Sequence, residues 1–234
     1  MDAKTIAENV AHIRETMAQA ARSAGRAPED IQLCAATKMN DADAVRAAIA
    51  AGVDCCGENR VQELQQKLPQ GAYAGKPLHF IGRLQTNKVK YLVGTVDLIE
   101  SVDRMELLEA IDKLAQKRGV VQRILLEVNI AGQESKAGFT AEEAARLAAK
   151  MGDYPGVKLC GLMAIPPVSE HPGDNRIFFR QMRQLFVDIK GKTYDNVAME
   201  CLSMGMSDDY PDAIAEGSTM IRVGTAIFGA RHYI

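Results

Sequence analysis

No uninterrupted apolar run in the chain approaches the roughly 20 residues that a helix needs to cross a bilayer, so no membrane span is expected. Charge of neither sign is in excess. Lys and Arg total 28 against 30 Asp and Glu, a net charge of -2, and the basic residues are scattered rather than striped. That implies no polyanion partner and argues against nucleic-acid binding. No Cys-x-x-Cys is present, and the four histidines (His12, His79, His171, His232) show no metal-ligand spacing, so no metal is expected. The vicinal pair Cys55-Cys56 would point to opposite faces of a strand. No Gly-x-Gly-x-x-Gly follows the first strand, and there is no Walker loop. The N-terminus is polar and opens directly into an amphipathic pattern, without the features of a signal peptide. Five cysteines, an odd number, fit free thiols in a reducing cytosol. A cytoplasmic location is expected.

What is there is ordinary for a globular protein: 47% hydrophobic and 25% charged residues in 234. Residues 2–24 read as a helix, with Ile6, Val10, Ile13, Met17 and Ala20 on one stripe. Eight apolar, strand-like runs follow: Ile31–Lys38, Val53–Asn59, Leu78–Leu84, Leu98–Val102, Arg123–Ile130, Val157–Ile165, Val197–Met206 and Met220–Phe228. Near-continuous apolar runs suit a parallel sheet covered on both faces. Helical patterns separate them, including one opened by the capping box Thr140/Glu143. Strict alternation without a break in composition predicts one domain over residues 1–234. The expected class is α/β, a (β/α)8 TIM barrel with an extra N-terminal helix. A doubly wound open sheet is the alternative.

Two segments near the end carry the chemistry. Cys201-Leu202-Ser203-Met204-Gly205-Met206-Ser207 and Arg222-Val223-Gly224-Thr225 each end in glycine and hydroxyl residues. Glycine lets backbone amides approach an anion and a hydroxyl adds a donor, so together they read as a phosphate cradle. In a barrel they fall after strands 7 and 8, where phosphate is most often held. Arg222 interrupts a strand pattern between Ile221 and Val223. Lys38 ends the first run on the same face of the barrel, and a desolvated lysine beside another cation is a nucleophile for carbonyls. Lysine, cradle and arginine together suggest pyridoxal 5′-phosphate. Lys38 would carry the internal aldimine, Ser203, Gly205, Gly224 and Thr225 the phosphate, and Arg222 the pyridine nitrogen. Arginine, always charged, leaves that nitrogen unprotonated and weakens the ring as an electron sink. The ten residues Pro166–Asn175 form the longest irregular stretch, a lid or an inert connector. Lys136, after strand 5, is either solvated or a second acceptor of the cofactor.

With these residues in place, the chain resembles the pyridoxal phosphate homeostasis proteins, single-domain relatives of the barrel half of alanine racemases. The resemblance covers nearly the whole chain. It rests on Ala36-Thr37-Lys38, Gly57-Glu58-Asn59, His79-Phe80-Ile81-Gly82-Arg83-Leu84-Gln85, Ser135-Lys136-Ala137-Gly138, Gly161-Leu162-Met163-Ala164, Leu202 to Asp209 and Arg222 to Gly229. It implies an aldimine at Lys38, phosphate contacts from Ser203, Met204, Gly205, Gly224 and Thr225, and Arg222 at the ring nitrogen. Asn59 and Met163 match pocket positions. It also implies a carrier or buffer in vitamin B6 homeostasis, with effects on amino-acid balance and transient contact with apo-enzymes that use the cofactor. Met39 departs from the threonine that many members carry. An amino-acid racemase-like enzyme is the alternative. A racemase needs a base on each face of the substrate carbon, and the chain stops at Ile234, just after its eighth strand, with Tyr233 as the tyrosine of a short tail. A monomer is expected. A class I aldolase is a third reading.

Overall fold

Asp2 opens the first helix. Its side chain accepts from the Thr5 amide at 2.8 Å and caps α1, Ala3–Ser23. The helix buries Ile6, Val10, Ile13, Met17 and Ala21 on one stripe. The computed structural model describes residues 1–133, 135–168 and 171–229. Tyr233, His232 and part of the Pro166–Asn175 stretch lie outside the described residues.

After α1 come eight strands: β1 Gln32–Ala36, β2 Cys55–Glu58, β3 Leu78–Phe80, β4 Leu98–Val102, β5 Gln122–Glu127, β6 Val157–Met163, β7 Val197–Ser203 and β8 Met220–Val223. They are parallel and close in chain order into a barrel, with β8 back beside β1 (Cys34 opposite Arg222). The intervening helices are α2 Ala42–Ala50, α3 Val61–Lys67, α4 Met105–Arg118, α5 Ala141–Ala148, α6 Arg176–Lys190 and α7 Tyr210–Ala215, with α8 Thr225–Phe228 after the last strand. This is the expected barrel with its extra N-terminal helix.

Apolar side chains fill two spaces. The larger lies between sheet and helices, where Phe80, Leu84, Leu107, Leu108, Phe179 and Phe186 pack. Helix α1 covers a separate sector with Leu33, Ile221, Ile227 and Phe228. Inside the barrel, Cys34, Cys55, Leu98, Leu125, Cys160, Met163, Cys201 and Met220 form a thin apolar layer. Arg222, Ser203, Glu100 and His79 share the interior with it, and that positions the site. Cys55 faces inward and Cys56 outward, as period-2 alternation requires.

Several strands end earlier than the apolar pattern suggests. The eighth run stops at Val223. Gly224 then turns the chain, and Ile227 and Phe228 bury against α1 from a helical turn. Their apolar character serves the helix layer, not the sheet. The third strand stops at Phe80, and two residues on Gly82 packs so closely on the loop after β2 that a Cβ would stand 2.1 Å from the Asn59 carbonyl oxygen. The expected helix after it is a 3-10 segment, Thr86–Tyr91, that buries only Val89. The first strand ends at Ala36, so Lys38 sits in a turn and strand alternation does not set its direction.

Candidate functional site

The C-terminal ends of the strands gather the expected residues. Half-buried Lys38 sits in a turn fixed from three sides. Lys67 Nζ donates to the Thr37 carbonyl at 2.8 Å. Glu63 Oε2 accepts from the Met39 amide at 2.5 Å. Asn40 Nδ2 donates to the Lys38 carbonyl at 2.9 Å. Met39 has φ 61°, a left-handed conformation that a long side chain rarely takes without such restraint. Beneath the turn lies buried Glu58. Its Oε1 accepts from Thr37 Oγ1 and Lys67 Nζ, each at 2.6 Å, and from Tyr73 OH at 2.9 Å. Burial and the Glu58 carboxylate push the Tyr73 phenol up.

At the ends of β7 and β8 the backbone opens. No hydrogen bond from the amides of Gly205, Gly224 or Thr225 is found among the described residues. Unpaired amides meeting on one rim are an anion site in waiting. Gly205 has φ 94°, and a Cβ there would stand 2.6 Å from Ala213 Cβ. Gly224 lets the rim approach Ala36, with a notional Cβ 3.4 Å from the Ala36 Cβ. Two expected donors are engaged elsewhere. The Met204 amide donates to the Met220 carbonyl at 3.1 Å. The Ser203 hydroxyl donates to Glu100 Oε2 at 2.6 Å.

Ser203 belongs to a chain of polar groups through the barrel interior. Its Oγ accepts from Arg222 Nη1 at 2.5 Å, and Arg222 Nη2 donates to the Ala164 carbonyl at 3.0 Å. Glu100 Oε1 accepts from His79 Nδ1 at 2.7 Å. Arg222 therefore points inward with Glu100 as its counter-ion, 3.9 Å away, and keeps donors to spare. Burial opposes the charge on Glu100, but His79, Arg222 and Ser203 outweigh it and hold the carboxyl below its usual range. Burial likewise lowers His79, and the hydrogen bond and charge of Glu100 reverse the sign, so the imidazole pKa is raised.

Met163 is buried at the end of β6. Asn59 follows β2, and its Oδ1 is buried without a partner among the described residues. An orphaned buried oxygen of this kind fits a ligand group that donates to it. Lys136 Nζ donates to the carbonyls of Ile165 and Pro166 at 3.2 and 2.9 Å, tying the loop after β5 to the loop after β6.

Two acids at or beneath this face are not singled out by the sequence, Glu100 and Glu127, and neither is the hub role of Glu58. Glu127 closes β5. Burial and Asp103 push its carboxyl up to about 7, against the pull of Arg222, Arg83 and Lys136. A signal existed for Glu100, because a charge inside Leu98-Ile99-Glu100-Ser101-Val102 needs a partner as much as Arg222 does.

The family model for the alanine racemase N-terminal domain matches residues 1–232. A pyridoxal phosphate homeostasis protein of Aquifex aeolicus is 43% identical over 226 residues, 97% of this chain and 98% of the relative. The chain belongs to this family. A pyridoxal phosphate homeostasis protein of Pseudomonas aeruginosa is 40% identical over 232 residues, 98% of this chain and 97% of the relative. Among solved structures, PipY of Synechococcus elongatus with pyridoxal phosphate bound superposes with a TM-score of 0.81 at 33% identity, covering 96% of this chain and all of that one. As a family member the chain has a role related to pyridoxal phosphate homeostasis. Among the described residues no helix is long and apolar enough to cross a membrane.

Proposed function

We propose that this chain binds pyridoxal 5′-phosphate at the C-terminal mouth of the barrel, attached through Lys38, and works as a cytoplasmic carrier or buffer of the cofactor. Through that role it would affect amino-acid balance and meet apo-enzymes transiently. The observation that carries the reading is the trio of unpaired amides at Gly205, Gly224 and Thr225 beside buried Arg222. A relative whose structure holds the same ligand adds support.

Bound there, pyridoxal 5′-phosphate supplies an aldehyde, an electron-accepting ring and a phosphate dianion. Each has a counterpart. The three amides receive the phosphate, with the exposed Thr225 hydroxyl beside them. Arg222 offers a remaining N–H to the ring nitrogen, and Glu100 and Ser203 hold its guanidinium in place. Asn59 Oδ1 accepts from a ring substituent. Lys38 presents an amine from a turn that Lys67 and Glu63 keep fixed. A cation that never gives up its proton favours holding the cofactor over activating it.

The second reading, a racemase-like enzyme, draws on Glu127, whose carboxyl exchanges a proton near neutrality on the same face. The test starts from absorbance of the purified protein with added pyridoxal 5′-phosphate, then borohydride reduction and peptide mapping, on wild type and Lys38→Ala. A visible band lost in the variant, with a pyridoxyl group on Lys38, is the expected result. No band in either protein overturns the reading. A band that survives in Lys38→Ala moves the attachment to another lysine, Lys136 first. Exchange of an amino acid's α-proton in D2O, followed by NMR, would decide for the enzyme.

A further inference from the structure

Below the Arg222–Glu100 network, three metal-ligating side chains meet inside the barrel. Cys34 on β1, Cys55 on β2 and His79 on β3 are all buried, and one ligand atom from each lies within 4.8 Å of the others. Residues 34 and 55 stand opposite each other in the ladder between β1 and β2. His79 Nδ1 is committed to Glu100 at 2.7 Å, so Nε2 is the nitrogen that would bind a metal once it carries no proton. An imidazole oriented by a carboxylate on its far nitrogen is the usual outer arrangement of a metal-bound histidine. A Cβ at Gly57 would stand 2.8 Å from Ile81 Cδ1 and 2.9 Å from Cys34 Sγ, so glycine there lets Ile81 pack beside the sulfur.

A route to the cluster is also present. A cavity of about 310 Å³ opens at the N-terminal end of the barrel, opposite the cofactor face, and Cys55, His79 and Cys201 line it. Glu29, Asp30, Asp54, Asp97 and Glu200 line it as well, against one cation, Arg123. Such a mouth draws cations inward.

We propose that Cys34, Cys55 and His79 form a site for a thiophilic cation of the zinc type, with Cys201 or water from the cavity as fourth ligand. Two sulfurs and an imidazole select zinc over magnesium or calcium. Two thiolates on one tetrahedral zinc stand about 3.8 Å apart, given Zn–S bonds of about 2.3 Å, so the spread of 4.8 Å needs only small side-chain adjustments. On binding, each thiol, and the imidazole where it is protonated, releases a proton to solvent, and the two sulfurs and Nε2 each give a lone pair to the metal, with no change of oxidation state. The ion would staple the first three strands together. Through Glu100 it would also adjoin the arginine of the cofactor face.

The experiment uses reduced, chelator-stripped full-length protein without pyridoxal 5′-phosphate, so its outcome does not depend on the cofactor reading. Cobalt(II) serves as the optical probe, followed by zinc and X-ray absorption at the zinc edge. Expected are a thiolate-to-cobalt charge-transfer band with tetrahedral d–d bands, displacement by zinc, and a zinc shell of sulfur and imidazole nitrogen. The band should vanish in the double variant Cys34→Ala, Cys55→Ala and persist in Cys160→Ala. Glu100→Gln should weaken zinc binding about 10–100-fold by loosening the imidazole. Should the double variant not fold, the zinc-edge spectrum of the wild type decides alone. A shell of nitrogen and oxygen only, no charge-transfer band, or a band unchanged in the double variant each overturns the site.

Discussion

At the scale of single residues, the site depends on buried charges that check one another. Glu58 illustrates the cost of imbalance. Its Oε1 is shared by Thr37, Lys67 and Tyr73, and Oε2 has no partner among the described residues. Lys67→Met would strand the carboxylate and release the Thr37 carbonyl. A loss of about 3 kcal/mol is expected, as for other buried pairs broken on one side, and urea denaturation of the two proteins measures it. Glu127 makes a prediction in pH. Its folded pKa of about 7 lies above the ordinary 4.5, so the folded state binds the extra proton. Its contribution to stability is full below pH 4.5 and is lost as pH rises through 7. Glu127→Gln should therefore match wild type near pH 4 and exceed it by about 1–3 kcal/mol above pH 8. Denaturation curves at several pH values check the sign. A variant less stable than wild type at pH 8 would contradict it.

At the scale of elements, what was legible in the sequence was what is local. Thr140 announces α5 because a cap acts within three residues of itself, and Thr140 and Glu143 do exchange hydrogen bonds at 3.2 and 2.8 Å. Thr140→Ala should cost about 1 kcal/mol, and it should raise hydrogen exchange in the first turn of α5 before it does so elsewhere. Strand ends were less legible. Apolar residues run past Gly224 without a break, yet Ile227 and Phe228 belong to the packing of α1, which no local pattern discloses. The same holds within the site. Lys38, Arg222 and the glycines stand out by type and place, whereas Glu58 meets Lys67 and Tyr73 across 9 and 15 residues. His79, Glu100 and Ser203 join three strands separated by 21 and 103 positions. Spacing along the chain carries no trace of either.

At the scale of the whole molecule, the barrel is unevenly sewn. Strands β5 and β6 pair over six residues of each, from Gln122 with Val157 to Glu127 with Met163. Strands β7 and β8 meet in register only at Ser203 and Met220. Exchange-protected amides should therefore concentrate at β5 and β6, with β7 and β8 opening at lower free energy. Mass-resolved hydrogen exchange tests this. Added pyridoxal 5′-phosphate should slow exchange most around residues 203–225, because a ligand bound to the closed rim suppresses its opening. Equal protection around the barrel would refute the uneven seam.

All five cysteines are buried, and they are distributed over β1, β2, β6 and β7. The folded molecule thus buries every thiol, and four of its eight staves carry a chemical timestamp. Each opening of the barrel leaves a permanent mark on the stave that moved. A population pulsed with reagent and then digested would yield a chronicle of which part of the wall parts first, written on the protein's own thiols.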